Sequence, residues 1–485
     1  MTASPQEPGS AFSTLGLALG APWRAIRWLW RKTWRYLLAL LVLLIIGHTI
    51  FNFIAGRKLE AELARIRKSG APLSLLEAAP PQVPDSENAA VLYQEAFKGL
   101  THEDSETIGS FLTRRLPEGE KRPTLEQMEE VLGRHTRDFQ LLEEASRRPA
   151  CRFPVNWEAG FAATFPHLAK VREATRFLAA KAIVEAKRGR SGEALEDLAL
   201  VIRMTNQVSG EPTLIAHLVR VACIAIVFRS FPEVLASAPP AEEECRAFYD
   251  LLAQVDMRGP FSHGMQGERA CGIWAFEQVR KAKAKDLVGL FFLSENPEQK
   301  KPFLAEVWWP VVRLLWGPFL RLDEVQYLRY MEGGIAFSEK PYREIREPSE
   351  YPADEMPKNL PWYAVITRRL SPIYTRANSK RDEAIASISL MRVSLALRVY
   401  QIEHGEYPAS LDELQAAGWE IPKDPFTDKP FIYRREGTGY LIYSVGPNLA
   451  DDRGTDYSTA RLALLGKPFL RGEEPAYDIP LRMTR

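Results

Sequence analysis

From Tyr36 to Gly56 the chain carries no formal charge, and the run sits between Arg35 and the pair Arg57 and Lys58. A helix needs about 20 mostly apolar residues to cross the hydrocarbon layer of a bilayer, and this run has that length. A chain with such a segment is divided by it. Residues 1–35 form a short basic arm, residues 36–56 a transmembrane helix, and everything later a body outside the hydrocarbon layer. The arm's segment 21–35 alternates Trp23, Trp28, Trp30 and Trp34 with Arg24, Arg27, Arg31, Lys32 and Arg35. Indole rings favour the headgroup zone and guanidinium groups favour lipid phosphates, so an interfacial helix leading into the span is expected.

A cleaved signal peptide is the rival reading. The run exceeds a usual signal core, bulky Phe53 stands where a small residue is wanted ahead of Ala55, and no lipobox-like cysteine follows. An uncleaved, single-pass anchor is therefore expected. Charge barely orients it, because Arg57, Lys58, Arg65, Arg67 and Lys68 balance the arm's basic residues. A short arm is easily retained inside, whereas long domains translocate largely regardless of charge. The expected topology is an internal N-terminus and an extracytoplasmic body. His48 and Asn52, the polar members of the run, lie in its later half, within reach of the interface.

The remaining chain has the composition of a folded protein: of 485 residues, 46% are hydrophobic and 26% charged, with a net charge of +1. That balance excludes a dedicated nucleic-acid binder, which needs a basic excess. Cys151, Cys223, Cys245 and Cys271 contain no Cys-x-x-Cys pair, so a zinc ribbon is excluded. An oxidising compartment would permit Cys223–Cys245 or Cys245–Cys271 pairing; four separate thiols, with Cys223 buried as a small apolar residue, is the favoured alternative.

Residues 57–370 read as an irregular α-helical body. A charged helix continues to residue 70, and Pro72 to Pro84 form a Pro-rich linker. Helices are expected over 86–100 and 124–146, the second from Leu125, Met128, Val131 and Leu132. Val171, Thr175, Leu178, Ala182 and Ala186 mark a helix face, a Gly turn follows at 187–193, and Ala194, Leu195, Leu198 and Ile202 mark a second helix. Thr213 to Phe231, apolar nearly all round, is expected at the centre. This alanine-rich helix, Gly turn and Glu-Ala-Leu sequence is similar to one unit of a tetratricopeptide-type repeat.

Two stretches in the body invite functional readings. Ser262, His263, Glu268 and Cys271 lie within a glycine-rich segment and carry nucleophile and base chemistry. No strand-turn-helix pattern positions a nucleophile there, and Glu268 and Arg269 are expected on a solvated helix face. Residues 303–320 contain Trp308, Trp309 and Trp316, and also Glu306, Arg313, Pro310 and Pro318, which make a poor span. The aromatic content suits core packing against the body, with contact at the bilayer surface as the alternative. The chain lacks Gly-x-x-x-x-Gly-Lys-Ser/Thr, His-Glu-x-x-His and Gly-x-Ser-x-Gly motifs, and its histidines have no ligand spacing.

Residues 371–485 form an α+β module. Ala384, Ile388, Met391, Leu395, Val399 and Ile402 step by three and four along a long helix that should stop at Gly405. Ser410 and Glu413 fit a capping box. Phe431 to Arg435 and Tyr440 to Ser444 read as a hairpin. The order His404-Gly-Glu-Tyr-Pro-Ala-Ser-Leu-Asp-Glu-Leu414, Pro422-Lys-Asp-Pro-Phe426, then Tyr440 to Gly446 with an Asp-rich tail resembles the globular domain of the type II secretion major pseudopilin. Unlike that family, a long helical body here separates the module from the apolar run. The resemblance implies a calcium site in the loop after the Ser-x-Gly turn, with Ser444, Asn448, Asp451, Asp452 and Asp456 as its residues; hard cations favour such oxygens.

The expected protein is thus mainly α: a membrane anchor, a helical bundle and a small pseudopilin-like cap. Two functions compete. One is an envelope interaction or scaffold component linked to secretion or pilus-like assembly, contacting lipid through Tyr36–Gly56 and the Trp/Arg arm. The other is an envelope hydrolase with its site in the helical body.

Overall fold

A computed structural model describes residues 15–113, 121–282, 303–346, 360–370, 374–456 and 477–483, with backbone alone for 15–32, 303–310, 312, 346, 374 and 375. The side chains of Trp23, Trp28 and Trp30 therefore lie outside the described residues. The described chain is mainly helical with one small antiparallel sheet. It divides into two compact units, residues 1–61 with 282–322, and residues 62–281 with 323–485.

In the smaller unit, α1 (Leu15–Lys68) supplies the apolar run as uninterrupted helix. Its Leu43 and Ile45 stand exposed, and none of its most apolar 18-residue window is buried. Among the described residues two further helical stretches, Leu214–Ser237 and Arg376–His404, are long and apolar enough to cross a membrane. Their apolar windows, however, are 50% and 67% buried inside the protein.

The larger unit begins with the single-turn α2 (Leu75–Ala78) inside the Pro-rich stretch. Asn88 caps α3 (Ala89–Gly99) through the Ala90 N–H, and Thr101 caps α4 (His102–Leu112) through the Asp104 N–H. The helix expected over 124–146 is two helices, α5 (Leu125–Gly133) and α6 (Thr136–Ser146). Thr124 and Gln127 form a reciprocal capping box at the start of α5. At the break, buried His135 lies between two carboxylates, Nδ1 2.9 Å from Asp138 and Nε2 3.0 Å from Asp104. Those contacts fix the chain there without a Gly-Pro signal.

Helices α7 (Pro166–Lys187) and α8 (Ser191–Gln207) form an antiparallel pair. Gly189, with φ of +81°, provides the left-handed residue that their short turn requires. The expected central helix is α9 (Leu214–Ser237), packed on α7, α8 and a later helix, with Cys223, Ile224, Val227 and Phe231 buried. Helices α10 (Glu242–Ala253) and α11 (Gly259–Lys281) complete this layer. Helix α12 (Phe303–Ser338) is followed by the short α13 (Tyr342–Arg346) and α14 (Val365–Leu370). The Asp323 carboxylate accepts the Ile366 and Thr367 N–H groups and so caps the first turn of α14.

The long C-terminal helix is α15 (Tyr374–His404), ended by Gly405 with φ of +80°. Its stripe is buried from Ala384 to Val399, while Ile402 is exposed. One hydrophobic core runs continuously from α3 through α10 into α15 and the sheet. The capping box expected at α16 (Leu411–Ala416) is only half formed. Ser410 makes no side-chain cap bond, and Glu413 accepts from the Ala409 N–H and the Tyr400 hydroxyl.

The hairpin is β1 (Ile432–Glu436) and β2 (Gly439–Ser444), with Ile432 opposite Tyr443. A third strand, β3 (Ile479–Met483), pairs antiparallel with β2, with Ile442 opposite Leu481. Strand β2 is therefore central and buried along its whole length.

Candidate functional site

A cleft of about 760 Å³ opens in the larger unit between the α5–α6 pair and the α7–α8 pair. Its apolar floor includes Leu132, Phe139, Val184 and Leu200. These come from the inward stripes of four helices, so helical periodicity alone places them side by side. The volume is that of an ordinary small-ligand or peptide-segment pocket.

Polar groups ring that floor. Lys181 Nζ donates to both carboxylate oxygens of Asp197, at 2.7 and 2.8 Å, and lies 5.8 Å from the Phe139 ring centre. Burial pushes the Asp197 carboxyl up to about 7, against the pull of Lys181. Glu129, Glu143, Glu185, Glu193 and Glu196 also line the walls, against Arg190 and Lys181 as the cations. Most of these carboxylates are engaged: Glu129 by Arg188, Glu143 by Arg147, Glu185 by Arg190 and Glu196 by Arg203. Among the described residues the lining contains no Cys, Ser or His. Its floor is apolar and its walls carry paired charges. Sequence reasoning found the apolar stripes but missed Lys181 and Asp197; the available signal was a polar residue on each of two consecutive, otherwise apolar, helix faces.

The segment carrying Ser262, His263, Glu268 and Cys271 is part of helix α11, and its groups do not converge. Ser262 Oγ donates to Glu339 at 3.3 Å, and His263 Nε2 stands 3.2 Å from the Ala78 carbonyl oxygen. Buried Cys271 packs beside Leu75 and Trp157, and burial pushes its thiol up to about 12. The expected solvated face at Glu268 and Arg269 is corrected by the structure. Arg269 is buried, and partly buried Glu268 accepts the Leu214 N–H at 3.1 Å, with its carboxyl raised by burial. The cause is the glycines of α11. A Cβ on Gly267 would stand 1.6 Å from the Pro212 carbonyl oxygen, so only glycine allows this approach. All four cysteines are free thiols, Cys223 fully buried among them.

In the C-terminal loop, the residues read as a cation site have separate partners. Buried Ser444 donates to Asp424 at 2.9 Å and so faces inward. Asn448 Nδ2 donates to Asp452 at 2.7 Å, and Asp451 accepts from the Tyr443 hydroxyl at 3.0 Å and the Arg453 N–H at 2.8 Å. Asp456 closes the described part of the loop. Sequence reasoning missed Asp478, which accepts the Asp452 and Gly454 N–H groups. Burial raises its carboxyl to about 6, with Asp452 and Asp451 adding to the rise. The Ser444 hydroxyl is engaged with Asp424, and Asp451 and Asp452 lie near Asp478. Among the described residues, no three His, Cys, Asp or Glu groups converge closely enough to hold a metal as they stand.

In the stretch 303–320, Val311, Leu314, Leu315 and Trp316 are exposed and Pro318 and Leu320 are buried, while the side chains of Trp308 and Trp309 lie outside the described residues. No protein-family model, curated protein or solved structure matches the chain.

Proposed function

We propose that the chain is a single-pass membrane protein of the cell envelope that acts by interaction, with α1 as its anchor and the α5–α8 cleft as its docking site. The observation that carries this reading is the exposure of the apolar run of α1: its most apolar 18-residue window has no residue buried inside the protein, and such a surface needs a bilayer around it. The apolar floor, with Asp197 and the exposed Glu193 on the walls above it, favours a partner segment bearing apolar and basic side chains. An extracytoplasmic body follows from retention of the short arm inside.

The resemblance of the C-terminal module to the major pseudopilin directs the search for that partner toward secretion or pilus-like assemblies. It also supports calcium at the 444–456 loop, through Ser444, Asn448, Asp451, Asp452 and Asp456, and the structure adds Asp478 beside them. Bound calcium would neutralise the carboxylate repulsion there and rigidify the loop.

The test is made on the full-length protein in native membranes. Alkaline carbonate washing should leave the protein in the pellet; release with its first residues intact would overturn the anchor. A photo-crosslinking residue at Phe139 should give a defined adduct that one at exposed Asp412 does not. Equal labelling from both positions would overturn the cleft as the docking site.

A further inference from the structure

We propose that the first half of α12 is a second membrane contact, seated against α1, and that Val311, Leu314 and Leu315 project into lipid acyl chains. The proposal rests on α1 being the anchor. Within the smaller unit, Leu314 is 64% exposed and Leu315 55%, a degree of exposure matched by the lipid-facing residues of α1 such as Leu43 and Ile45. Leaving these side chains in water would forfeit about 25 cal/mol for each Å² that lipid can cover.

The lipid is identified by continuity with α1. Phe51 of α1 and Phe319 of α12 meet edge to face at 5.2 Å, and Trp316 lies 5.4 Å from Phe319. Arg321 donates to the Asn52 carbonyl oxygen at 3.3 Å and bonds the Asn52 side-chain oxygen as well. Asn52, a polar residue near the end of the apolar run, thus has a protein partner, which is how polar groups are accommodated close to hydrocarbon. Gly317 faces the same contact: a Cβ there would stand at ordinary packing distance, 3.9 Å, from Asn52 Oδ1. The exposed face of α12 therefore abuts a surface that the anchor already places in a bilayer. Arg313 is exposed on the same stretch, and its long stem can hold the guanidinium at headgroup phosphates while its neighbours enter the acyl layer.

The experiment uses the full chain reconstituted into phosphatidylcholine–phosphatidylglycerol vesicles whose acyl chains carry bromine. An environment-sensitive fluorescent amino acid is placed singly at Leu44, Leu314 or Glu158, an exposed body position. Bromolipid should quench the probe at 44 and at 314 and leave that at 158 unchanged. Quenching at 44 alone would overturn this proposal and leave the anchor standing, whereas quenching at neither would overturn both. Protection of position 314 that grows with protein density would assign the face to a second copy, and so also overturn it. As a folding-independent check, the double change Leu314→Asp, Leu315→Asp should abolish quenching of a probe at Val311 while quenching at 44 persists.

Discussion

Glu268, two turns into α11, accepts a hydrogen bond from the backbone N–H of Leu214, the first residue of α9, at 3.1 Å. The start of a helix leaves its first N–H groups without intrahelical partners, and here a side chain from another helix answers one of them. Thr213 answers a second, accepting the Ala216 N–H. Glu268→Ala should therefore lower stability by about 1 kcal/mol, the usual worth of a cap. Burial raises the Glu268 carboxyl, so its contribution is full at pH below its unfolded value and fades as pH rises through the folded one. Glu268→Gln keeps an acceptor without that charge. Thermal melts at pH 5 and pH 8 should show the Gln variant gaining on the wild type as pH rises.

The close approach that makes this cap possible depends on glycine. Gly267→Ala forces its Cβ into the Pro212 carbonyl oxygen, and a clash with backbone relaxes only by moving α9 or α11. A loss of about 1 to 3 kcal/mol is expected, as for other overpacked sites. Gly109 on α4 is the control, since nothing lies within 4 Å of a Cβ there and its backbone is ordinary helix. Gly109→Ala should stabilise by about 0.5 to 1 kcal/mol. Urea denaturation of the three proteins checks both signs.

These two positions also mark where the sequence was readable. Helices α7, α8, α9 and α15 announce themselves because long, regular apolar spacing reports a buried face directly. Helix α11 does not, because Gly259, Gly264, Gly267 and Gly272 look like loop residues until their contacts with Pro212, Thr213 and Tyr327 are known. The break at His135 was equally silent. It depends on Asp104, a full helix away, and no local signal encodes that. Strand β3 carries Pro480 and pairs with a strand far back in the chain, so its short segment has no pattern of its own. The candidate cleft shares this property: its floor follows from helix periodicity, but the meeting of Lys181 and Asp197 is tertiary.

The cation proposal at the C-terminal loop makes a prediction about both protons and metal. Burial and the neighbouring Asp452 and Asp451 raise Asp478 to about 6, so its stabilising contribution is full below the unfolded value of about 4 and is lost as pH rises through about 6. Calcium offsets that loss only when the carboxylates are ionised. Millimolar calcium should therefore raise the melting temperature of the full-length protein in detergent at pH 7.5 and leave it unchanged at pH 4.5. Asp451→Asn with Asp452→Asn should abolish the effect. The absence of any shift at pH 7.5 would remove calcium from this loop.

The cleft's own ion pair yields the sharpest test of what its walls are for. Asp197 is buried beside the partly exposed Lys181, whose ammonium supports the ionised carboxylate. Lys181→Met should cost about 1 to 2 kcal/mol at pH 8 and less at pH 5, where Asp197 carries its proton. Asp197 is raised from 3.8 to about 7, so its contribution is complete below pH about 4 and disappears as pH climbs through 7. Asp197→Asn removes that slope. The stability of the wild type relative to the Asn variant should consequently fall between pH 5 and pH 8, by melting temperature or urea midpoint. A ligand that brings its own cation to Asp197 acts in the opposite direction, because it favours the ionised carboxylate. Partner capture through the Phe139 crosslinking position should then strengthen from pH 5 to pH 8 in the wild type and lose this dependence in Asp197→Asn. A docking site that holds its partner through the apolar floor alone would show the same capture at both pH values.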